Sequence, residues 1–292
     1  IFPCSEFSIL TKKDNIKNEK KLFKSKIKKN LLLKDLYSNI IPFKKASIEI
    51  TQKDIKRKYM MKKICPSINT DLLNNYQLIN WHQDFYSSYN WPKDKFFQDI
   101  EISPKEGVDI KIPWELSRFQ FIGELLKISE YSSGELFILF VVDWITDNTF
   151  KKGVNWRSAM DVSLRAINWI MALNIFEKEI YNNYDFQRLI SNSIRDHGNY
   201  IFDNLDYVSE SIPTNNHYLS DLAGLLFISA YFPDFPESDK WLIFSIQQII
   251  NEFEKQILDD GMCYEASTGY HKLVTEIFLN CACVIEKIPL IR

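Results

Sequence analysis

From Pro113 onward, apolar positions recur at three- and four-residue spacings, the period of helices that bury one face. Residues 113–131, PWELSRFQFIGELLKISEY, open on a proline suited to a first helical turn and align Leu116, Phe119, Ile122 and Leu126. Residues 134–148, GELFILFVVDWITDN, are apolar nearly all round and predict a helix buried on every side. Residues 156–176 place Met160, Leu164, Ile167 and Met171 on one stripe. Similar patterns follow at 185–205, 217–232, 239–258 and 271–288. The connections between them are short, so successive helices should run antiparallel in an all-α fold. Either an α-solenoid or an (α/α) toroid fits. The conspicuous interruption is DDGMCYEASTGYH, Asp259 to His271, a polar loop with two glycines between two strong helices.

Composition narrows the picture. The chain is 46% hydrophobic with only 8 glycines, enough apolar matter for a sizeable core but poor material for a β-sandwich or a glycine-rich nucleotide fold. No apolar run reaches membrane-spanning length; the longest, Leu136 to Val142, meets Asp143 at once. Five cysteines in a chain of this length read as small buried hydrophobes. The net charge of -2 hides an asymmetry: residues 1–63 carry 18 Lys/Arg against 6 Asp/Glu, the remainder 18 against 32. The lysines are dispersed among Leu, Ile and Phe, which points to a solvated basic segment over 1–63 and not to a nucleic-acid-binding arm. The helical domain is then expected over 64–292. A first residue that is not methionine and an abrupt ending after CACVIEKIPLIR suggest a piece of a longer protein, on which a signal peptide would not be visible.

Three stretches hold polar and aromatic residues that a plain core does not need. The first is Trp114 to Arg118. The second is Asn155 to Trp169, where Arg157, Asp161 and Arg165 are spaced by four, a pattern equally suited to an ion-pair ladder on a solvated face. Trp156 and Trp169 flank it, and aromatic rings beside guanidinium groups suit an anionic sugar. The third joins Asn216, His217 and Tyr218 to Tyr264, Glu265, Tyr270 and His271. Asn215 or Asn216 is most simply a helix N-cap. Both groups lie at N-terminal ends of helices, so helices of alternating direction would bring them to one rim.

The stretches KIPWELSRF, VNWRSAMDVSLRAINWIMAL, NNHYLSDLAGLLF and ILDDGMCYEASTGYHKLVTEIF, in this order, resemble the heparinase II/III family of polysaccharide lyases, with its alginate-cleaving relatives. The resemblance spans roughly residues 80 to 288. It implies an incomplete (α/α) toroid, followed in the family by an antiparallel β-sandwich domain that this chain lacks. It implies β-elimination on a uronic-acid-containing polysaccharide: a base takes the C5 proton and the C4–O bond breaks. Asn216 matches the residue that neutralises the uronate carboxylate, with His217 beside it as a carboxylate contact or base. Tyr270 matches the general acid, and possible base, at the leaving oxygen. Trp114, Arg118, Asn155, Trp156, Arg157, Arg165, Tyr218, Glu265 and His271 are the expected substrate-binding set, Glu265 more as an orienting group than a reacting one. The partner implied is an anionic polysaccharide, the location periplasmic or extracellular, and no cofactor is needed. A zinc site from His217, His271 and Glu265 matches no standard structural spacing. Two departures stand out. The family takes a further catalytic His or Tyr from its β-sandwich, and Asp161 stands where a glutamate is common. Two other readings compete: a non-catalytic glycan-binding helical module, and an inverting glycoside hydrolase, which needs two carboxylates roughly 6.5–9.5 Å apart.

Overall fold

The computed structural model describes residues 52–64, 66, 68–125, 133–207 and 214–288. Residues 1–51, most of the basic segment, lie outside them, as does Leu126 of the first predicted stripe. Among the described residues the regular structure is helical, with isolated antiparallel bridges such as Ile257 to Cys263 and no β-strand. No helix among them is long and apolar enough to cross a membrane. They divide into two compact units. One takes in the residues up to Arg157 together with Met171–Ser193, and the other Ser158–Ile170 together with those from Ile194 onward.

The first unit holds α1 (Gln52–Ile64), α2 (Thr70–Asn75), α3 (Lys111–Ser117), α4 (Ile122–Leu125) and α5 (Ser133–Asp147). The helix expected to be apolar all round is α5, and Leu136 through Val142 are all buried. Directly after that apolar run sits Asp143, fully buried. Its Oδ1 accepts from Arg57 Nε (3.1 Å) and Nη2 (2.5 Å), and its Oδ2 from the Tyr76 hydroxyl (3.1 Å), Ile79 N–H (3.0 Å) and Trp81 Nε1 (3.3 Å). Burial pushes its carboxyl up to about 6, against the pull of Arg57. This hub ties α1, a helix that spans the 63/64 position, to α5.

The single helix predicted from Pro113 is two. Phe119 lies in the left-handed region at φ 60°, which breaks α3 from α4. Its ring is fully buried and stacks on Trp81 at 5.3 Å, so tertiary packing outweighs the helical periodicity there.

The residues of two long helices, α6 (Ala159–Ile175) and α8 (Tyr184–Asp203), are divided between the units, and the short α7 (Glu177–Ile180) belongs to the first. The second unit then adds α9 (Asn216–Tyr231), α10 (Ser238–Gln256) and α11 (Thr268–Lys287). Helix α9 is buried along nearly its whole length, and both α10 and α11 pack on it. Close approach depends on Gly198: a Cβ there would meet the buried Trp241 ring at 2.5 Å.

The alternative of a solvated ladder of Arg157, Asp161 and Arg165 does not hold, because Asp161 and Arg165 are buried. Ser158 Oγ accepts from Asp161 N–H (3.3 Å) at the start of α6, so Arg157 precedes the helix. Arg165 is fully buried, its Nε donating to His197 Nε2 at 2.8 Å. Burial pulls its guanidinium down to about 9, opposed by Asp161 and Tyr200.

Asp143→Ala should destabilise the protein by about 3–5 kcal/mol, because it leaves the Arg57 charge buried beside it without its main partner. Urea unfolding checks this; a midpoint unchanged from wild type would remove Asp143 as the tie between α1 and α5.

Candidate active site

The sequence-selected residues divide between the two units. In the first, Asn155 and Trp156 are closed off from solvent. The Asn155 amide donates to the Trp81 carbonyl and to Asn148 Oδ1, both at 2.8 Å. Trp114 is half-buried and its indole donates to the Val154 carbonyl (2.9 Å), which fixes α3 to the turn carrying Asn155 and Trp156. Arg118 caps α3 through its backbone, and Arg157 is half-buried with its Nε shielded and unpartnered. As placed, Asn155 and Trp156 hold the turn together, while Trp114, Arg118 and Arg157 keep exposed surface.

The second unit gathers the remaining candidates, apart from the buried Arg165, around the starts of α9 and α11. The two adjacent asparagines divide the work at α9. Asn215 is the N-cap, its Oδ1 accepting from His217 N–H (3.0 Å) and Tyr218 N–H (3.4 Å). Asn216 is thereby released from capping. Instead it is gripped by Glu265, whose Oε1 accepts from the Asn216 backbone N–H (2.9 Å). The Asn216 side-chain Nδ2 donates to Glu265 Oε1 and Oε2 at 3.2 and 3.1 Å. A carboxylate only accepts, so this contact turns the amide nitrogen toward Glu265. The two polar clusters therefore do meet at one rim.

Glu265 is held in turn. Leu258 N–H donates to the Met262 carbonyl across a tight turn closed by Gly261, which sits at φ 85°. Tyr264 N–H donates to the Gln256 carbonyl (2.9 Å), and its hydroxyl to the Thr214 carbonyl (3.0 Å). Ala266 is in the left-handed region at φ 52°, a strained conformation for a residue with a Cβ, between Glu265 and the α11 cap. Ser267 caps α11, its Oγ accepting from Tyr270 N–H (3.4 Å). Beneath, the buried Glu252 accepts from Gln256 Nε2 (2.9 Å) and from the Thr214 hydroxyl.

Tyr270, in the first turn of α11, is 48% exposed, open to a bound molecule. His271 Nδ1 accepts from Cys263 N–H (3.3 Å), so its proton sits on Nε2 in the neutral ring. His217 is exposed and its Nδ1 lies 3.1 Å from Asp206 Oδ2. Tyr218 points inward, its hydroxyl 3.4 Å from Gln248 Oε1, and burial pushes its pKa up. Four residues that periodicity did not single out complete the surroundings: Asp206, Thr214, Gln248 and Glu252. Thr214 directly precedes Asn215, while Asp206, Gln248 and Glu252 have no spacing relation to the motifs that would have marked them.

The carboxylates do not form an open acid–base pair. Asp161 and Asp221 are buried, and Glu265 is occupied by Asn216. Among the described residues no group of three or more His, Cys, Asp or Glu forms a metal-binding cluster.

Comparison with known proteins bears on the family and the fold. The family model described as Heparinase II/III N-terminus matches residues 14–288, reaching well upstream of the four motifs. A heparin-sulfate lyase from Pedobacter heparinus is 36% identical over 76 residues, which is 26% of this chain and 12% of that protein. Among solved structures, the heparan sulfate lyase HepC from Pedobacter heparinus is similar over 85% of this chain and 37% of its own, with 21% identity and a TM-score of 0.51. A methylated-lysine form of the heparinase III BT4657 gene product is similar over 87% of this chain and 40% of its own, with 19% identity and a TM-score of 0.50. At these identities the structural likeness shows the fold: the all-helical toroid of the heparinase N-terminal part. The chain spans well under half the length of the relatives it matches.

Asn215→Ala should cost about 1 kcal/mol of stability through loss of the α9 cap. Thermal unfolding checks it, and an unchanged transition would mean that Asn215 does not cap.

Proposed function

The chain belongs to the heparinase II/III family of polysaccharide lyases, and we propose that it forms the helical part of an enzyme that cleaves a uronic-acid-containing polysaccharide by β-elimination. The observation that carries this reading is the Glu265 grip on Asn216. It joins the start of α9 to the loop that starts α11, five positions before Tyr270.

The chemistry asks for two things. The uronate C5 proton becomes acidic only when the neighbouring carboxylate is neutralised, so that the developing enolate is stabilised. An amide held in one orientation by Glu265 costs little reorganisation as that charge develops. Its Nδ2 donates to both Glu265 oxygens, and the substrate carboxylate is assigned a share in one of its two hydrogens. His217, beside it and exposed, supplies a second polar contact to the same carboxylate. The reaction also needs a proton donor at the C4 leaving oxygen. Tyr270 is assigned that role as general acid and also that of the base: ionised, it takes the C5 proton and then delivers it to the leaving oxygen as the C4–O bond breaks. The N-terminal ends of α9 and α11 add partial positive charge that favours both anions. Trp114, Arg118 and Arg157 keep the role of polymer contacts, and His271 that of a polar neighbour of Tyr270. Asn155, Trp156, Arg165 and Tyr218, each 1% exposed or less, are assigned supporting roles, whereas Asn216, buried at 5% exposure, keeps a small accessible edge for direct contact. A further catalytic His or Tyr from a β-sandwich domain, and a place outside the cytoplasm, are parts of the same reading that come from the family.

The test is ultraviolet absorbance of unsaturated uronate product, using the full-length gene product on heparan sulfate, alginate, hyaluronan and chondroitin. Asn216→Ala and Tyr270→Phe should each abolish product while leaving the helical circular dichroism intact. Turnover retained in either variant would sink the role assigned to that residue. Silence of the wild type on all four polymers would favour a glycan-binding module.

A further inference from the structure

The buried Asp221 plays no part in the elimination just described, yet leaving a carboxyl fully buried is costly. Burial pushes its pKa well above the ordinary carboxyl range. Its contacts say what it does. Asp221 lies on α9, one turn beyond His217. Its Oδ1 accepts from the Ser163 hydroxyl (3.3 Å), which anchors it to α6. Its Oδ2 accepts from the backbone N–H of Asp206 (3.0 Å). The chain around Asp206 is further pinned by Tyr207, whose ring meets that of the buried Tyr218 at 5.3 Å. Asp206 is therefore not a loose surface acid. Its backbone is bolted to the interior, and from there its Oδ2 reaches His217 Nδ1 at 3.1 Å.

We propose that Asp206 is a positioning residue for His217: it accepts the Nδ1 proton, fixes the ring, and leaves Nε2 as the atom turned to the substrate, with buried Asp221 as its anchor. A neutral imidazole has one donor nitrogen and one acceptor nitrogen, and whichever is hydrogen-bonded decides the other's role. With the proton held on Nδ1, Nε2 carries a lone pair that can take a proton or, once protonated, donate to a carboxylate. Turned the other way, the same ring would present an N–H donor only. An exposed histidine–aspartate pair on two flexible segments would contribute little; the Asp221 anchor removes that freedom on the aspartate side. The catalytic part of this inference rests on the lyase reading, while the tautomer itself does not.

The experiment is nitrogen-15 spectroscopy of the full chain with labelled histidine. The sequence has four histidines, His82, His197, His217 and His271, so assignment needs only a His217→Gln comparison. The wild type should show His217 as the Nδ1–H tautomer. Asp206→Ala should shift it to Nε2–H, and Asp206→Asn, which keeps an acceptor oxygen, should restore Nδ1–H. In parallel, Asp206→Ala should lower kcat roughly tenfold to hundredfold with a smaller change in KM, as for a misoriented catalytic group, and Asp206→Asn should recover most of it. Persistence of Nδ1–H in Asp206→Ala, or its absence in wild type, overturns the proposal. If wild type cuts no polymer, the lyase reading fails and the tautomer still decides the role of Asp206.

Discussion

A helix that starts at a reactive site has to satisfy its first N–H groups without blocking that site. At α9 every early donor is taken: Asn216 N–H by Glu265, His217 and Tyr218 N–H by the Asn215 side chain, and Leu219 N–H by the Asn215 carbonyl. The backbone is closed to a ligand, so under the proposed function a substrate carboxylate is met by side chains, the Asn216 amide and the outer nitrogen of His217. The Glu265 carboxylate is thus both a partner for the helix dipole and the reason the amide has one orientation. Because Glu265 belongs to the α11 approach, the two helix starts are joined by one charge-assisted contact.

The same device recurs in the other unit at a different scale. Asp143 gathers Arg57, Tyr76, Ile79 and Trp81, so α1, the stretch 76–81 and α5, far apart in sequence, converge on one buried carboxyl. Glu252 does this beneath Thr214, and Asp221 beneath Asp206. Each buried acid trades a desolvation cost for several directed bonds, which fixes irregular chain where helix packing alone gives no register. Hydrophobic stripes can hold α9, α10 and α11 together, but they do not specify where a loop residue such as Asp206 stops.

That contrast explains what could be read from the sequence. The long helices were legible because their apolar period is regular, and the loop from Asp259 to His271 because glycine and polar residues interrupt it. The meeting of Asn216 with Glu265 followed from alternating helix direction. Three things were not legible. The break at Phe119 depends on stacking against Trp81, a contact without a local signature. The burial of Arg165 was hidden because an Arg–Asp–Arg spacing of four reads the same on a wet face as in a core; the clue against the ladder was Ser158, a cap residue that puts Arg157 outside the helix. Asp206 has no spacing relation to His217, and only the fold brings them together.

Strain is found beside these fixed points. Ala266 holds a left-handed backbone between the residue that grips Asn216 and the serine that caps α11. Relaxing it to an ordinary φ would redirect the chain at the one place where Glu265 and Ser267 must both reach their targets. Glycine would adopt that angle freely, but it would also give the loop many other conformations to lose on folding. An alanine kept there by the bonds on either side yields a narrower ensemble. The orientation of Asn216 is then set by the loop geometry before any ligand arrives, which is the condition for a polar group to stabilise charge as it develops.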